Sequence, residues 1–379
     1  MASSILTING GSSSLKCALF EVAAGHLEEQ SRFDISRVSG DKNGHVACLR
    51  DVLRQIRQKD NLPRLAAVGH RVVHGGDVFR QPVCIDEAVL ADLYTLVALA
   101  PLHQPVNLKL IEACAQEFPG VPQVACFDTA FHQHMPDVAR NYALPQALTD
   151  AGIHAYGFHG ISYEFIWSKL QSRDETAKGK RIIIAHLGAG ASLCAIRGGQ
   201  SIATTMGFST VDGMPMATRS GSIDPGVLIH LLREQGMTAD QLENLLYTES
   251  GLKAISGLSG GMRELSASDK PRARAAIDYF VYRASREIAS LTGALGGLDS
   301  LVFTGGIGAN SASIRRDICA ACDWLGVKID NEANDKSEET IGSRDAAVDI
   351  WIFPTDEQAQ IADHVMRMLS PLEECRDPG

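Results

Sequence analysis

The sequence predicts an α/β protein built from two similar halves. Three observations carry that expectation. The chain opens on an apolar run, a polar glycine- and serine-rich turn and a second apolar run, over residues 4–22. The same device recurs in the second half, with an apolar run at 180–187, a turn at 188–192 and a return at 193–197. A third glycine-rich turn, 301–311, leads from an apolar run into a helical pattern. Neither G-x-x-x-x-G-K-[ST] nor G-x-G-x-x-G occurs, so P-loop and Rossmann readings lose their main support.

At 379 residues the chain has room for two domains with well-buried cores. Its 45% hydrophobic and 21% charged residues are those of an ordinary globular protein. A formal net charge of −10 argues against nucleic acid as the main partner, because that binding needs a basic face. A small anionic substrate stays open, since a few arginines in one cleft reverse the local field. No 18-residue apolar run and no signal-peptide pattern is visible, so no membrane partner and a cytoplasmic location are expected. The nine cysteines, most of them in apolar runs, suit reduced core thiols. Cys319 and Cys322 form a lone C-x-x-C that fits a helix interior better than a metal site.

The opening turn exposes backbone N–H groups and hydroxyls, with Lys16 at its mouth, and such a hairpin can wrap a phosphate or simply be a polar edge. Residues 44–58 carry Val46, Leu49, Val52, Leu53 and Ile56 at helical spacing. The run 65–76 is a buried strand ending in two glycines. Arg71 inside it needs either an ion-pair partner or an anion. Residues 86–99 are helical, two prolines stiffen the loop around His103, and 106–118 is the next helix. The strand 121–127 runs into Asp128, at the place where α/β proteins set catalytic or metal-linked groups, although a helix cap reads equally well. Composition loosens at 145–152, which gives domains over 1–148 and 149–354, with the helix 355–379 returning to the first. His159 stands near glycines ahead of a helix over 162–170, and a structural role competes with a functional one.

In the second half Gly198-Gly199 makes a further hairpin turn, and Arg219 lies in a small-residue loop. Asp224 caps a helix at 225–235 that starts on proline, and Thr238 with Gln241 forms a capping box. The segment 256–263 is expected to be a flexible loop. The helix 271–295 presents Ala276, Phe280, Ala284, Ile288 and Leu291 to a core. A strand at 350–353, a cap at 355–357 and a helix to about 369 close the chain. Two hairpin turns plus a strand–turn–helix of this kind suggest a duplicated actin-like (ribonuclease H-like) ATPase fold, with a nucleotide cleft between two domains.

The motifs NGGSSSLK from Asn9, GHRVVHGG from Gly69, APLHQPVNL from Ala100, FDTAFHQHMP from Phe127 and YGFHG from Tyr156 come in one order. HLGAGAS from His186, MATRSGSIDP from Met216, FTGGIGANS from Phe303 and PTDE from Pro354 follow. In these motifs the sequence resembles the acetate kinase family, which comprises acetate and propionate kinases. The resemblance implies reversible phosphoryl transfer from ATP to acetate or another short-chain carboxylate, with Mg²⁺ (or Mn²⁺), and a homodimer formed through the second domain. It places Asn9, Ser12, Ser14 and Lys16 in the first phosphate turn and His186, Gly188 and Gly190 in the second. It assigns Arg71 and Arg219 to the carboxylate and the phosphoryl group, with Asp128 and His159 as further catalytic residues and His103 nearby. Asp128 and Glu357 match magnesium-linked carboxylates, and the resemblance implies Asn9 and Glu357 as the metal residues. Met262, Arg263, Gly306, Ile307, Gly308 and Asn310 match the adenosine pocket, and Val73, Leu102 and Phe158 the acyl pocket.

Five positions depart from that pattern. Ala189 stands for an asparagine, Gly261 for an acidic residue, Thr210 for a proline, Tyr163 for a histidine and Ala309 for a glutamate. The charge and donor set Arg71, Asp128, His159, Arg219 and Glu357 is intact, so an ATP-dependent acetate kinase is the leading expectation. A propionate or other short-chain carboxylate kinase follows, and a non-catalytic nucleotide-binding protein on the same scaffold comes last.

Overall fold

The opening hairpin is the centre of a six-stranded sheet. In this computed structural model, residues 3–11, 14–36, 38, 42–58 and 63–374 are described. The chain falls into two units. One takes residues up to 133, 160–165 and those from 356 on; the other takes 134–159 and 166–355.

The first unit contains β1 (Ser3–Gly10), β2 (Ser14–Ala23), β3 (His26–Ser36), β4 (Arg64–Val72), β5 (Val83–Cys84) and β6 (Gln123–Phe127). Their order is β3-β2-β1-β4-β6-β5. The first three strands are antiparallel neighbours, and β1, β4 and β6 run parallel. Alternate side chains of β1 face opposite layers, as strand geometry demands. Leu6 and Ile8 pack with Leu49, Val52, Leu53, Val106 and Leu110 from the helices Lys42–Arg57 and Gln104–Glu117. Ile5 packs with Ile361, Ala362 and Val365 of the closing helix Glu357–Glu374.

The second unit contains β7 (Arg181–Leu187), β8 (Ala191–Arg197), β9 (Gln200–Thr204), β10 (Ser300–Thr304) and β11 (Asp349–Ile352), in the order β11-β10-β7-β8-β9. Three antiparallel strands again adjoin two parallel ones. The order β9-β8-β7-β10-β11 thus repeats β3-β2-β1-β4-β6, and the duplication expected from the turns is present in the sheets. The helix Pro271–Leu295 buries Ala276, Phe280, Ala284, Ile288 and Leu291, the expected stripe. Asp224 accepts from Gly226 N–H at the start of the helix Pro225–Arg233, and the Thr238–Gln241 capping box is formed on both sides. Cys319 and Cys322 are buried free thiols at the end of the helix Ala312–Ala321.

Two expectations change and one strand is added. The regular helix after Asp86 stops at Thr95 and tightens into a 3₁₀ turn, Leu96–Leu99. The strand β3, for which sequence reasoning had no element, is an edge strand that carries no fully buried residue. The segment 256–263 is pinned rather than flexible. The Ser256 hydroxyl accepts from the N–H groups of Leu258 (3.1 Å) and Ser259 (3.3 Å), and the Ser259 hydroxyl accepts from Gly261 N–H (3.0 Å). Among the described residues, no helix is long and apolar enough to cross a membrane.

A buried imidazole gives this fold a pH dependence. His70 on β4 is buried, with Nε2 hydrogen-bonded to Gln123 Oε1 at 2.7 Å. Burial, weakly opposed by that bond, lowers its pKa from 6.5 to about 4. Between those values the unfolded chain binds the proton and the folded chain does not, so stability falls as pH drops through the window, by about 1.4 kcal/mol per unit. Going from pH 7 to pH 5 therefore costs about 2 kcal/mol at this site. The variant His70→Gln should lose that much of the acid sensitivity in urea midpoints at the two pH values; an unchanged difference would contradict it.

Candidate active site

In the first unit three parallel neighbours bring polar residues to one end of the sheet. Asn9 lies near the end of β1, Arg71 near the end of β4 and Asp128 just past β6, all at carboxyl ends, where α/β sheets bind ligands. Glu357 opens the closing helix. The four side chains form one row. Arg71 Nε and Nη2 both donate to Asp128 Oδ2, at 2.9 and 2.5 Å, and Nη1 donates to Asn9 Oδ1 at 3.2 Å. Asn9 Nδ2 donates to Glu357 Oε2 at 2.6 Å. The ion-pair reading of Arg71 is therefore realised, and Asp128 serves Arg71 rather than a helix cap.

The electrostatics of the row favour added positive charge. Asp128 is 1% exposed, and its Oδ1 is buried with no hydrogen-bond partner. Burial raises the Asp128 carboxyl above its ordinary value; Arg71 opposes this and the charge of Glu357 adds to it. Burial acts to lower Arg71, but Asp128 and Glu357 outweigh it and hold the guanidinium charged. Two carboxylates around one cation, with an orphaned oxygen, suit a hard cation that brings its remaining ligands from water and phosphate.

Buried side chains hold the strand ends. Asn107 Nδ2 donates to the Gly10 carbonyl (3.0 Å), while its Oδ1 accepts from Val73 N–H (3.2 Å). His45 Nε2 is bonded to the Gly11 carbonyl at 2.9 Å. Lys16, exposed on β2, stands opposite Asn9 in the register and so shares its face. Ser14 is half-buried at the start of β2, and Ser12 lies outside the described residues. Of the other predicted residues here, Val73 and His103 are buried, whereas Leu102 is 42% exposed.

The second unit assembles a second group of predicted residues. His159 sits at φ 60°, a left-handed conformation uncommon for a non-glycine residue, immediately before the helix Gly160–Arg173. Its Nδ1 is bonded to Ser192 Oγ at 2.8 Å, and its ring stacks on His186 at 4.3 Å between centroids. A Cβ at Gly190 would stand 3.3 Å from His159 Nε2 and 4.0 Å from Arg219 Nη1, so the second glycine turn, His159 and Arg219 meet. Arg219 Nη1 donates to the Thr210 carbonyl at 3.0 Å. The Ala189 carbonyl accepts from Ala217 N–H at 3.1 Å, joining the turn to the Arg219 loop. Phe158 is buried beside this group in sequence.

A cavity of about 370 Å³ is lined by Met262, Arg263, Ser266, Gly306, Ile307 and Asn310, together with Ala267, Ser311 and Ser313. Five of the six residues predicted for adenosine are thus gathered, and Gly308 is buried in the same short helix, Gly305–Asn310. Sequence reasoning missed what anchors that helix. Arg315 is fully buried; its Nη1 donates to the carbonyls of Gly308 (2.9 Å) and Ala309 (3.0 Å) and its Nε to Asn334 Oδ1 (2.8 Å).

Two sheets of matching order, with polar groups at the ends of their parallel strands, define a scaffold of the duplicated actin-like class. The profile of the acetokinase family matches residues 4–363. An acetate kinase of Rhodopseudomonas palustris (strain ATCC BAA-98 / CGA009) is 45% identical over 393 residues, covering 97% of this chain and 99% of the relative. One of Methylocella silvestris is 41% identical, over 98% of this chain and 99% of its own. Among solved structures, a propionate kinase from Francisella tularensis superposes with a TM-score of 0.85 at 36% identity, covering 96% of this chain and 98% of that one. The acetate kinase of Porphyromonas gingivalis superposes at 0.83 and 33% identity, over 97% and 100%. The chain belongs to the acetokinase family.

Proposed function

We propose that the chain transfers the γ-phosphoryl group of ATP to acetate, reversibly, giving acetyl phosphate and ADP. The observation that carries this is the row Asn9–Arg71–Asp128–Glu357, set at the carboxyl ends of adjacent parallel strands. An acetate oxygen attacks the γ-phosphorus, and the bond from that phosphorus to the β,γ-bridging oxygen breaks, leaving ADP. Acetate is already ionised at neutral pH and needs no general base, which suits a site with few bases. Catalysis then consists of positioning the reactants and stabilising charge on the equatorial oxygens.

In this reading Arg71 binds the carboxylate, and Arg219 and His159 face the phosphoryl group in transit. With the Ser192 hydroxyl donating to His159 Nδ1, the ring proton sits on Nε2, the nitrogen that would face a phosphoryl oxygen. Glu357, Asn9 and Asp128 Oδ1 would hold Mg²⁺, which neutralises phosphate charge when bound. The cavity beside Met262, Ile307 and Asn310 takes the nucleoside of ATP or ADP. A hydroxamate assay with acetate, ATP and Mg²⁺ should yield product; none at any substrate level would sink the proposal.

Propionate is the second reading, favoured by the likeness to the Francisella propionate kinase. Comparing kcat/KM across acetate, propionate and butyrate ranks the two. The buried free thiols of Cys17, Cys126 and Cys194 suit a reducing cytoplasm.

A homodimer through the second unit is part of the proposal. The helix Pro225–Arg233 has no buried residue, yet Val227, Ile229 and Leu232 are apolar, and Ile223 and Tyr282 are exposed as well. Such an exposed apolar face suits a partner, and a two-fold contact with a second copy uses it twice. The change Ile229→Asp enters such an interface twice, so it should weaken association by about 4 kcal/mol, roughly a thousandfold. Light scattering should then find monomer where the parent chain is dimeric; equal masses would contradict the interface.

A further inference from the structure

We propose that Gly260 is a positioning residue that couples the nucleoside cavity to Arg219. The inference rests on the roles given above to that cavity and to Arg219. A Cβ at Gly260 would lie 2.3 Å from the Ala217 carbonyl oxygen, 2.7 Å from its carbonyl carbon and 2.9 Å from its Cα. Backbone cannot yield as a flexible side chain does, so any larger residue must push the segment 216–219. The φ angle of Gly260 is outside the left-handed region, so a Cβ there would act through its contact with Ala217 and not through backbone strain.

The pushed segment has little room to retreat. The Ala217 carbonyl also accepts from Lys253 N–H at 3.0 Å, and Met216 N–H donates to the Arg219 carbonyl at 3.0 Å. A Cβ at Gly251, whose φ is +64°, would stand 2.2 Å from the Met216 carbonyl oxygen and 2.8 Å from that of Arg219. The Thr218 hydroxyl donates to the Tyr247 carbonyl at 2.8 Å, and Ser220 N–H donates to that of Leu246 at 3.0 Å. Both acceptors belong to the π-helical turn Leu245–Glu249. Arg219 is therefore held by backbone on each side.

The other end of the contact is equally short. Two and three residues after Gly260, Met262 and Arg263 line the nucleoside cavity. Ser259 and Ser256 pin the intervening backbone through their hydroxyls. A nucleoside that settles against Met262 and Arg263 presses the 259–263 segment onto Ala217, and Ala217 is two residues from Arg219. The filled cavity thereby fixes the arginine that the phosphoryl group must meet.

Hydrogen exchange of the full-length protein with and without ADP tests the coupling. ADP should protect amides of 262–267 and 305–310 and, in addition, those of 216–220. Protection of the cavity segments alone would overturn the coupling and keep the nucleoside site; protection of neither would overturn both. The variant Gly260→Ala should lower kcat at least tenfold, change the Kd for ADP less than threefold and abolish the added protection of 216–220. Gly293→Ala, where a Cβ meets nothing within 4 Å, serves as the control and should match the parent. A kcat for Gly260→Ala within twofold of the parent would overturn the proposal, as would unchanged protection of 216–220.

Discussion

Replacing Arg219 by alanine should lower turnover about a thousandfold while leaving ADP affinity within a few-fold. The separation follows from where the side chain sits. Its guanidinium is oriented by the Thr210 carbonyl and lies beside Gly190 and His159, whereas the nucleoside cavity is lined by other residues. An arginine that meets charge only in the transition state contributes to kcat and little to ground-state binding. A thousandfold loss corresponds to about 4 kcal/mol, within the range known for arginines on a transferring phosphoryl group. Arg219→Lys keeps the charge but not the planar fork, so an intermediate loss is expected. A loss under tenfold for Arg219→Ala would remove Arg219 from the reaction.

Much of the fold was legible because its signals are local. The runs that became β1, β7 and β10 are apolar and end on glycine, and the helix Pro271–Leu295 begins on proline and ends at Gly296, φ +71°. The strand β3 is hard to read because its alternation is short: Phe33 and Ile35 alternate with Arg32 and Asp34, but the polar run Glu28-Glu29-Gln30 precedes them and no residue is fully buried. The candidate site was legible as residue types but not as contacts. Arg71 and Asp128 are 57 positions apart, and only the parallel pairing of β4 with β6 sets them side by side. The Arg315–Arg316 pair marks the limit of local reasoning. Arg315 is fully buried and anchors the Gly305–Asn310 helix, while Arg316 is half-buried and pairs with Asp335. Nothing in the adjacent sequence separates them. The pinned segment 256–263 eluded the sequence for a related reason. Serine and glycine there satisfy backbone donors and permit contact, which composition cannot tell from slack.

The Asp128→Ala variant should lose both activity and stability, and the two losses can be separated. Removing one partner of a buried ion pair leaves the other charge uncompensated, at a cost of about 3–5 kcal/mol. Arg71 would keep only its bond to Asn9 Oδ1 and the more distant charge of Glu357. Protection of the slowest amides in β4 and β6 should fall accordingly, since those strands carry the pair. Asp128→Asn retains an acceptor for Arg71 and should cost about half as much, with turnover still lost because the negative charge is gone. The double variant Arg71→Met, Asp128→Leu buries no charge and should regain stability to within about 1 kcal/mol of the parent. It should nevertheless make no acyl phosphate. Stability restored without activity would assign the pair to substrate and phosphate rather than to the fold. Activity surviving in the double variant would show that the row at the sheet's carboxyl end is structural, and the proposed site for the carboxylate would fall with it.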